Sequence, residues 1–572
     1  MDKKINNLTG SKTIINTLIK NDVKHIFGII GGSIMPLYDE FLNYQDKLRH
    51  IMVRHEQAAA HAADAYARVT GKAGVCVTTS GPGATNLVTG LMSAYMDSVP
   101  IIALSGNVPT HLLGNDAFQE TDMIGITMPI TKHNYQIRSA NEITSVINNA
   151  FHIATTGRPG PVFIDLPKDI QTTCVTKEKK TIIPTGFKPN MYGHPTQIKK
   201  AADEILNAKR PVILAGGGVI ISHAHDELAT LATGLNIPVT TTYMGKGCFD
   251  ERHPLSLGVI GMHGKKVANY TLANADIIIA IGCRFSDRIT GKISEFCKEG
   301  KIIHIDIDSA EIGKNVPVHI PIVGDAKNIL KELNKVITKK APKNKEWSEK
   351  IKNYIKECNC DININKNPID PRKIIYELNQ LIKDDDIITT GTGQHQMYAG
   401  HFLKRNKPNT FITSGGSGTM GFGFPASIGA KIASPKSKVL NIDGDGSFAM
   451  VIQELATCKE ENINTTQIIF NNAYLGMVRQ WQELFFDKRY SATYLKRTPD
   501  FAKVADAYGL TGITVDRASE IKEALIRGYK NDQTTVLDVM VGEETNILPM
   551  FGPSSKHTDM FGGCIQNMGE LF

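Results

Sequence analysis

Short apolar segments alternate with helical patterns along the whole chain, and this alternation limits the fold more than any other feature. Helical segments such as the alanine-rich Glu56–Thr70 separate the candidate strands. Because parallel strands are joined by helical crossovers that cover both faces of the sheet, the sequence predicts an α/β fold. We expect three domains, each with a mainly parallel sheet covered by helices. The candidate strands form three blocks, at 74–79, 100–105 and 161–166, at 211–215, 275–281 and 302–306, and at 386–390, 439–443, 466–470 and 536–541.

Polar stretches separate these blocks and set the predicted domain boundaries. One stretch, at 176–197, carries prolines and lysines, and the other, at 339–371, is dominated by Lys, Asn and Pro. We therefore expect domains at residues 1–175, 190–340 and 365–550. The glycine-containing tail at 551–572 is either a mobile lid or a frayed end.

Composition excludes several classes of protein. The 64 Lys and Arg residues only slightly exceed the 57 Asp and Glu residues and are interspersed with them, which favours neither nucleic acid nor a membrane as partner. Nine cysteines without a repeating pattern indicate a reduced intracellular protein with no structural disulfides. No apolar run approaches the roughly 18–20 residues of a membrane span. The amino terminus resembles neither a secretory signal nor a transit peptide, so we expect the protein to work where it is made.

The segment VLNIDGDGSFAM, at residues 439–450, carries a Gly-Asp-Gly turn directly after an apolar strand, and the next strand, QIIFNN, closes with Asn471 and Asn472. A Gly-Asp-Gly sequence alone is usually only a turn. Here a strand–turn–helix–strand unit of this length would bring oxygens of Asp445 and Asn472 to one sheet edge, where Mg²⁺ could bridge a diphosphate. The whole pattern is similar to the thiamine-diphosphate signature.

Glu56 lies at the start of a predicted helix whose surroundings are apolar and rich in alanine. A glutamate in a first helical turn often only complements the helix dipole. A partly desolvated carboxyl can instead share a proton with a ring nitrogen, which thiamine diphosphate requires at its aminopyrimidine. Beside the pattern of Asp445 and Asn472, the catalytic interpretation is favoured.

Several glycine-rich or charged segments follow predicted strands. TTSGPGATN, at residues 78–86, is either an ordinary strand–helix turn or a cofactor loop. In the second block, AGGGV, GMHGKK, IGCRFSDR, HIDID and GDA fall near strand ends, where nucleotides bind in parallel sheets. AGGGV lacks the full dinucleotide spacing, so spacing alone does not establish a bound dinucleotide.

Single residues also have two interpretations. Arg158 and Lys168 flank a predicted strand and are by themselves most simply surface cations. Met420 lies among glycines in GTMGFGFPAS, and methionine in an apolar segment usually fills a core. Trp481 is either a core residue or a pocket wall, and its closeness in sequence to Asn472 favours the wall.

Taken together, these residues resemble one family, the biosynthetic acetolactate synthase (acetohydroxyacid synthase) large catalytic subunits. The likeness runs from about Ile14 to Phe551. The segments that carry it are RHEQAAAHAADAYAR, SGPGATN, AFQE, GQHQM, GTMGFG, DGDGSF and GMVRQWQ. One departure is Ser286 in IGCRFSDR, where an acidic residue is common in the family.

The resemblance implies a pyrimidine-binding domain, a central FAD domain and a diphosphate-binding domain, with the active site between two subunits. Glu56 and Gln119 would be catalytic, and Asp445, Asn472 and the carbonyl of Tyr474 would hold Mg²⁺. Met420 would hold thiamine diphosphate in its bent form. The other implied thiamine-diphosphate contacts are Gly32, Gly83 and Asn86 from one chain, and Thr392, Gln394, His395, Gln396, Gly418, Gly444, Gly446, Ser447 and Gly476 from the other.

The resemblance also implies a mainly structural FAD and a substrate channel. Trp481 would restrict the pocket so that 2-oxobutyrate competes well as acceptor. Phe118, Lys168 and Met477 would frame the channel with Met262 and Arg284. The implied FAD contacts are Arg158, Gly216, Gly217, Met262, His263, Gly264, Arg284, Asp306 and Asp325.

The implied function is that of a thiamine-diphosphate-dependent transferase in valine, leucine and isoleucine biosynthesis. It would decarboxylate pyruvate and ligate the two-carbon unit to pyruvate or 2-oxobutyrate, giving 2-acetolactate or 2-aceto-2-hydroxybutyrate. We expect a homodimer or homotetramer with a small regulatory subunit. The lack of a transit peptide and the bias towards Lys, Ile and Asn indicate the bacterial cytoplasm or the plastid stroma.

Three alternatives stay open. A pyruvate oxidase would use the same cofactors with a redox-active flavin. A pyruvate decarboxylase-like lyase would release acetaldehyde and would need neither FAD nor the Trp481 segment. A non-catalytic scaffold or sensor descended from such enzymes is disfavoured by the presence of Glu56, Asp445 and Asn472.

Overall fold

The computed structural model describes residues 8–181, 186–337, 344–356 and 364–562. These residues form three sheets of six strands, and the strands within each sheet pair in parallel. Helices cover the sheets. The predicted α/β class with three mainly parallel sheets is therefore confirmed.

The first sheet has the strand order β2-β1-β3-β4-β6-β5. Its strands are β1 (His25–Gly28), β2 (Arg49–Met52), β3 (Gly74–Thr78), β4 (Ile101–Asn107), β5 (His133–Gln136) and β6 (Val162–Pro167). Its helices are α1 (Gly10–Lys20), α2 (Met35–Phe41), α3 (Glu56–Thr70), α4 (Pro82–Thr85), α5 (Val88–Asp97), α6 (Met123–Thr127), α7 (Ile143–Thr155) and α8 (Lys168–Thr172).

The second sheet has the order β12-β11-β10-β7-β8-β9. Its strands are β7 (Pro211–Ala215), β8 (Val239–Thr241), β9 (Ser256–Val259), β10 (Ile277–Ile281), β11 (Lys301–Asp306) and β12 (Ile320–Val323). The helices around it are α9 (Pro195–Asn207), α10 (Gly217–Ile221), α11 (His225–Leu235), α12 (Lys266–Ala273), α13 (Asp287–Thr290) and α14 (Ala326–Ile337), and α15 (Lys345–Lys356) follows.

The third sheet has the order β14-β13-β15-β16-β18-β17. Its strands are β13 (Ile387–Thr390), β14 (Phe411–Ile412), β15 (Val439–Gly444), β16 (Thr466–Asn471), β17 (Thr511–Val515) and β18 (Thr535–Met540). Its helices are α16 (Pro371–Leu381), α17 (Gln394–Phe402), α18 (Gly423–Ala433), α19 (Asp445–Ala449), α20 (Glu454–Glu460), α21 (Gly476–Phe485), α22 (Phe501–Ala507) and α23 (Ile521–Lys530).

Helix α3 of the first domain packs along α18 of the third domain, and this contact connects the two domains. The contact face of α3 consists of buried alanines, which let the two backbones approach closely. At Gly429 of α18, an added Cβ would overlap the backbone oxygen of Ala62. Only glycine fits at this crossing, and the crossing fixes the position of Glu56 at the start of α3 relative to the third sheet.

The polar stretch at 339–371 contains a helix that the sequence analysis did not predict. Trp347 and Ile351 of α15 are buried against Leu257 and Val267, and the indole nitrogen of Trp347 donates a 3.1 Å hydrogen bond to the carbonyl of Pro211. The apolar residues recur one turn apart within a lysine-rich sequence, so average composition hid an amphipathic helix. Residues 338–343 and 357–363 of the stretch lie outside the described residues.

The tail packs against the second sheet's domain as far as Gly562. Phe551 is fully buried and donates its backbone N–H to the carbonyl of Met262 at 3.1 Å. Met550 pairs with Phe561, and the carbonyl of Ser555 accepts from the backbone of Lys292. A frayed end is therefore wrong for 551–562, whereas 563–572 lie outside the described residues.

Throughout the described ranges, no single helix combines the length and the apolar character that crossing a bilayer requires.

Candidate active site

In each sheet, predicted site residues lie at the point where the strand order reverses. β1 and β3, β7 and β10, and β13 and β15 are the neighbouring strands at these three points. Parallel α/β sheets bind ligands in the crevice at the carboxyl ends of such a strand pair. The segments that follow these six strands contain Gly32, Gly83, Gly217, Arg284, Thr392, Gln394 and Asp445.

Glu56 is the first residue of α3, and its side chain is held in a polar corner. The Nδ2 atom of Asn86 donates a 2.9 Å hydrogen bond to Oε2 of Glu56. A Cβ added to Gly83 would lie 2.7 Å from Oγ1 of Thr78 and 3.2 Å from Oε1 of Glu56, so the absence of a side chain lets the backbone of Gly83 approach this oxygen closely. Glu56 is 9% exposed. One carboxylate oxygen thus accepts from Asn86, and the other lies against Gly83.

Gln119 lies near this corner. Its backbone is in the left-handed region with φ of 59°, and a Cβ added to Gly81 would lie 2.8 Å from its carbonyl oxygen. The preceding Phe118 is 88% exposed, and Gly32 has open space around its Cα. Lys168 is also exposed, at the start of α8. The structure therefore brings Glu56, Gly83, Asn86 and Gln119 together, whereas Phe118 and Lys168 point to solvent in the single chain.

Asp445 and Asn472 emerge at the same edge of the third sheet. Asp445 directly follows β15 and Asn472 directly follows β16, and these strands pair with Gly444 opposite Phe470. The Oδ1 atom of Asn472 accepts from the backbone N–H of Tyr474 at 3.1 Å. This is the arrangement that the Gly-Asp-Gly and Asn-Asn spacing predicted.

The carboxyl of Asp445 is buried and incompletely hydrogen-bonded. Oδ1 accepts from the backbone of Gly446 at 2.8 Å, while Oδ2 has no partner among the described residues. Burial raises the pKa of Asp445 to about 7. A bound cation would oppose this effect and supply the missing partner. The donor set, one carboxylate with amide and carbonyl oxygens, suits Mg²⁺ that takes its remaining ligands from a diphosphate.

No described group of three or more His, Cys, Asp or Glu side chains could hold a metal ion by itself. A cation at Asp445 would therefore depend on non-carboxylate oxygens and on the cofactor.

Glycines and unpaired polar atoms form a cradle beside Asp445. A Cβ added to Gly444 would lie 2.7 Å from Nδ1 of His395, and one added to Gly446 would lie 3.7 Å from Cε of Met420. Burial lowers the pKa of His395 to about 3, so the imidazole is neutral. The Oγ1 atom of Thr392 is buried without a hydrogen-bond partner in the described ranges, and Nε2 of His395 lies 3.6 Å from Oδ1 of Asp443, beyond hydrogen-bond distance. Such atoms need a ligand or water, which fits a diphosphate site.

Most of the other residues predicted to contact thiamine diphosphate hydrogen-bond to neighbours in the third domain. Gln394 Oε1 accepts from Nδ2 of Asn472 at 3.2 Å, and a side chain at Gly476 would collide with both groups. Ser447 Oγ accepts from the backbone of Gly421 at 3.0 Å, directly after Met420. Gln396 donates to Oγ1 of Thr413 at 2.7 Å. Gly418 has φ of 61°, which glycine adopts without strain.

A cavity of about 1410 Å³ lies among the three sheets. Its volume exceeds the usual ~300–1,000 Å³ of small-ligand pockets, as a dinucleotide-sized ligand requires. Seven of the nine residues predicted to contact FAD line it, together with Thr392, Gln396, Gly418, Met477 and Trp481. These seven are Arg158, Gly217, Met262, His263, Arg284, Asp306 and Asp325.

Gly216 and Gly264 do not line the cavity. A Cβ on Gly216 would overlap the carbonyl of Gly282, and one on Gly264 would lie 2.5 Å from the backbone of Ile260. Both glycines therefore permit close backbone packing under the cavity. In this structure they shape its floor rather than face it.

Charged residues at the cavity have defined partners. Arg158 contacts Glu311 at 2.8 Å and Asp308 at 3.3 Å. Asp325 accepts from Oγ of Ser222 at 2.6 Å. Burial raises the pKa of Asp306 to about 6. These groups make part of the cavity lining polar, so that hydroxyl groups of a ligand could hydrogen-bond to them.

Met477 and Trp481, one turn apart on α21, form an apolar wall of the same cavity. The guanidinium of Arg288 lies 5.4 Å from the centre of the Trp481 ring. Trp481 also packs against a cluster that includes Met262, Met550 and Phe551. The tail therefore supports this wall, and the interpretation of Trp481 as a pocket wall fits its position.

Several cavity residues were missed by the sequence analysis. Asp97, Ser98, Met244 and the segment at 415–417 line the cavity. The sequence SGGSG, at residues 414–418, is a glycine-rich signal that could have been noted. The sequence around Asp97 and Met244 contains no motif that marks either residue as part of a binding site.

Three parts of the chain match domains of thiamine pyrophosphate enzymes. Residues 8–126 match the N-terminal TPP binding domain, residues 198–333 the central domain and residues 391–539 the C-terminal TPP binding domain. The matched parts contain Glu56, Gly217, Gly418, Asp445 and Asn472.

Full-length relatives carry names that agree with these domains. The "Probable acetolactate synthase large subunit" of Methanocaldococcus jannaschii is 52% identical over 97% of this chain and 95% of its own length. The "Acetolactate synthase" of Arthrospira platensis is 44% identical over 98% of both chains. The "Acetolactate synthase large subunit" of Buchnera aphidicola is 44% identical over 95% of this chain and 96% of its own. The chain therefore belongs to the acetolactate synthase large-subunit family of thiamine-pyrophosphate-dependent enzymes.

Proposed function

We propose that this chain decarboxylates pyruvate and joins the two-carbon unit to pyruvate or 2-oxobutyrate, in the biosynthesis of valine, leucine and isoleucine. One observation carries the proposal beyond the family match. The cavity that holds the predicted FAD contacts continues to Gly418 and to the wall of Met477 and Trp481. An acceptor 2-oxo acid bound at this wall would lie beside the predicted thiamine site.

Thiamine diphosphate, when bound, supplies the carbon nucleophile and the electron sink for decarboxylation. The protein's part is to hold and orient it. Glu56 would hold a proton at Oε1 facing the aminopyrimidine ring, while Asn86 fixes Oε2. Met420 and Gly418 would support the cofactor from the third sheet, and Thr392 and His395 would contact its diphosphate.

We assign Mg²⁺ to the side chains of Asp445 and Asn472 and to the carbonyl of Tyr474. The unpaired Oδ2 atom of Asp445 supports this assignment. The backbone N–H of Tyr474 already donates to Asn472, so the segment is folded back on itself at this edge. The ion would neutralise the diphosphate and fix its distance from the sheet.

We assign FAD to the cavity, with a structural role. The cavity's volume, its polar lining at Arg158 and Asp325, and the lining glycines Gly217 and Gly218 support a dinucleotide. The Nδ1 atom of His263 is buried and unpaired among the described residues, which leaves a donor or acceptor for the ligand.

We further propose that the active site is completed by a second copy of the chain. The exposed Phe118 and the open space at Gly32 lie next to the Glu56 corner, where a neighbouring subunit would cover them. Relatives are named large subunits, which supports an additional small regulatory subunit. Dimers and tetramers would both satisfy this arrangement.

The decisive test separates the synthase from a flavin oxidase. The chain is supplied with thiamine diphosphate, Mg²⁺, FAD and pyruvate in air, while the absorbance of oxidised flavin, hydrogen peroxide and acetolactate are followed together. We expect acetolactate without peroxide and with the flavin remaining oxidised. Peroxide release during turnover would instead identify an oxidase, and acetaldehyde as main product would identify a lyase.

A further inference from the structure

The domains of all three sheets meet at residues 414–418 (SGGSG), which we call the glycine loop. The loop follows β14 and leads to Met420. A Cβ added to Gly415 would lie 2.5 Å from Sδ of Met244, in the second domain. One added to Gly416 would lie 2.9 Å from Nη2 of Arg284 and from Oδ1 of Asp97. Residues of the other two domains therefore contact the loop, and a side chain at either position would displace Met244 or Arg284.

Asp97, the last residue of α5, anchors this loop. Its Oδ1 atom accepts from the backbone N–H of Gly416 at 2.7 Å, and its Oδ2 atom accepts from that of Gly415 at 3.1 Å. Nη2 of Arg68 also donates to Oδ2 at 3.1 Å. The carboxyl of Asp97 is buried, so these charge-assisted hydrogen bonds are shielded from water.

Arg68 ties the anchor to the body of the protein. It donates to Oδ1 of Asp64 at 2.6 Å and to the carbonyl of Thr413 at 2.9 Å, directly before the loop. A second link joins Ser93 of α5 to Ser414 through their hydroxyl oxygens at 3.0 Å. The loop is thus fixed to the first domain through two neighbouring turns of α5.

The position of the loop connects two sites. Gly415, Gly416 and Asp97 line the large cavity together with Arg284. At its other end, the loop carries Gly418 and is followed by Met420, whose Cε lies near Gly446 of the diphosphate cradle. A ligand in the cavity would press on one side of the loop, and the thiamine site depends on the other.

We propose that Asp97 is a positioning residue that fixes the glycine loop between the two cofactors, so that FAD in the cavity strengthens the binding of thiamine diphosphate. This inference rests on the cofactor assignments of the proposed function but not on its reaction. Coupling between two sites is reciprocal, so thiamine diphosphate must strengthen FAD binding by the same factor.

Isothermal titration calorimetry of the full chain tests this inference without turnover. The Kd of thiamine diphosphate is measured at saturating Mg²⁺ with and without FAD, in the unaltered chain and in Asp97→Asn. We expect FAD to tighten binding by about fivefold or more in the unaltered chain, at the lower end of typical coupling factors. In Asp97→Asn the factor falls to about one. Equal affinity with and without FAD in the unaltered chain, or full coupling in the variant, would overturn the inference.

Asp64→Asn is the matched control, since it removes an equally buried carboxylate from Arg68 and leaves both bonds to the glycine loop in place. Coupling is expected to persist in this control. If it is lost there too, the effect belongs to Arg68 rather than to Asp97. Ser93→Ala removes the hydrogen bond to Ser414 of the glycine loop without removing a charge. This variant replaces Asp97→Asn in the titration if Asp97→Asn does not fold. Its coupling factor is expected to decrease, and an undiminished factor contradicts the inference.

The two hypotheses fail in different ways. A chain that shows the coupling but forms no acetolactate contradicts the proposed function and leaves the role of Asp97 in place. A chain that forms acetolactate but shows no coupling contradicts only the role of Asp97.

Discussion

The Nδ2 atom of Asn86 lies 2.9 Å from Oε2 of Glu56 and donates a hydrogen bond to it, while Oε1 lies against Gly83. The two residues lie on different helical segments, α4's end and α3's start. Their contact fixes the orientation of the carboxyl that we assign to proton transfer. Because this hydrogen bond orients the side chain, the role of Glu56 can be tested with glutamine, which has the same shape but no acidic proton.

Glu56→Gln is expected to lower kcat by about 10²- to 10⁴-fold, the usual contribution of a positioned acid–base group. Binding of thiamine diphosphate should change far less, because the diphosphate contacts remain. Steady-state kinetics and calorimetry of the folded variant check both parts. Glu377→Gln, which alters a buried glutamate of α16 that is paired with Lys373, is the control and should keep its turnover. Normal activity of Glu56→Gln would refute the assignment.

Asp445→Asn is expected to weaken Mg²⁺ binding at least roughly tenfold, a loss seen even for residues that only orient a metal ligand. Among the proposed protein ligands of Mg²⁺, only Asp445 carries a negative charge, and asparagine removes that charge. Titration of activity and of thiamine diphosphate binding against Mg²⁺ measures the change. The exposed Asp516→Asn provides the comparison. An unchanged Mg²⁺ dependence in Asp445→Asn would remove this residue from the metal site.

Trp481→Leu should reduce the preference for 2-oxobutyrate over pyruvate by roughly tenfold, because a hydrophobic contact worth one methylene discriminates by about 10–200-fold. The product ratio at equal concentrations of the two acceptors gives the preference directly. Phe485→Leu changes the aromatic neighbour whose ring centre lies 5.6 Å from that of Trp481, outside the cavity lining. If both variants shift the ratio equally, the wall assigned to Trp481 is wrong.

Glu454 predicts a pH dependence of stability. Burial raises its pKa from 4.5 to about 7, although Thr457 and the backbone of Arg54 donate hydrogen bonds to it. Between these two pH values the native state binds a proton that the unfolded state has lost, so the free energy of unfolding decreases as pH rises. The difference approaches about 3 kcal/mol, at ~1.4 kcal/mol per pKa unit.

Denaturant unfolding of Glu454→Gln checks this prediction, because glutamine does not titrate. The free energy of unfolding of the variant, relative to the unaltered chain, should increase from pH 4.5 to pH 7. A constant difference across this range would show that Glu454 titrates normally in the folded protein.

Local patterns predicted most of the internal strands and the Asp445 edge because both depend on neighbours in sequence, whereas the short internal strands β1 and β8 were not predicted. β3, β4 and β15 are buried on both faces and read as continuous apolar runs. The edge strands β2 and β5 were missed because they are partly exposed, and their sequences RHIM and HNYQ are largely polar. Whether one face of such an edge strand is buried depends on residues that are distant in sequence, and a short stretch of sequence does not contain this information.

The same distinction holds for the site. The turn at Asp445 and the start of α3 at Glu56 could both be predicted, because each lies where the sequence changes from a strand pattern to a helix pattern. The contact between Asp97 and Gly416 joins residues 319 positions apart and depends on how the domains meet. The assignment of Gly216 and Gly264 to the cofactor stays a prediction, because neither residue lines the cavity and an added Cβ at either would meet neighbouring backbone.

Product analysis distinguishes a carboligation whose acceptor is selected at Trp481 from the alternative reactions. The chain is given pyruvate, thiamine diphosphate, Mg²⁺ and FAD, with and without 2-oxobutyrate, and the hydroxy-oxo acids are quantified. We expect 2-acetolactate from pyruvate alone and its replacement largely by 2-aceto-2-hydroxybutyrate when 2-oxobutyrate is added. Acetaldehyde or acetate as the main product, with neither hydroxy-oxo acid, would contradict it.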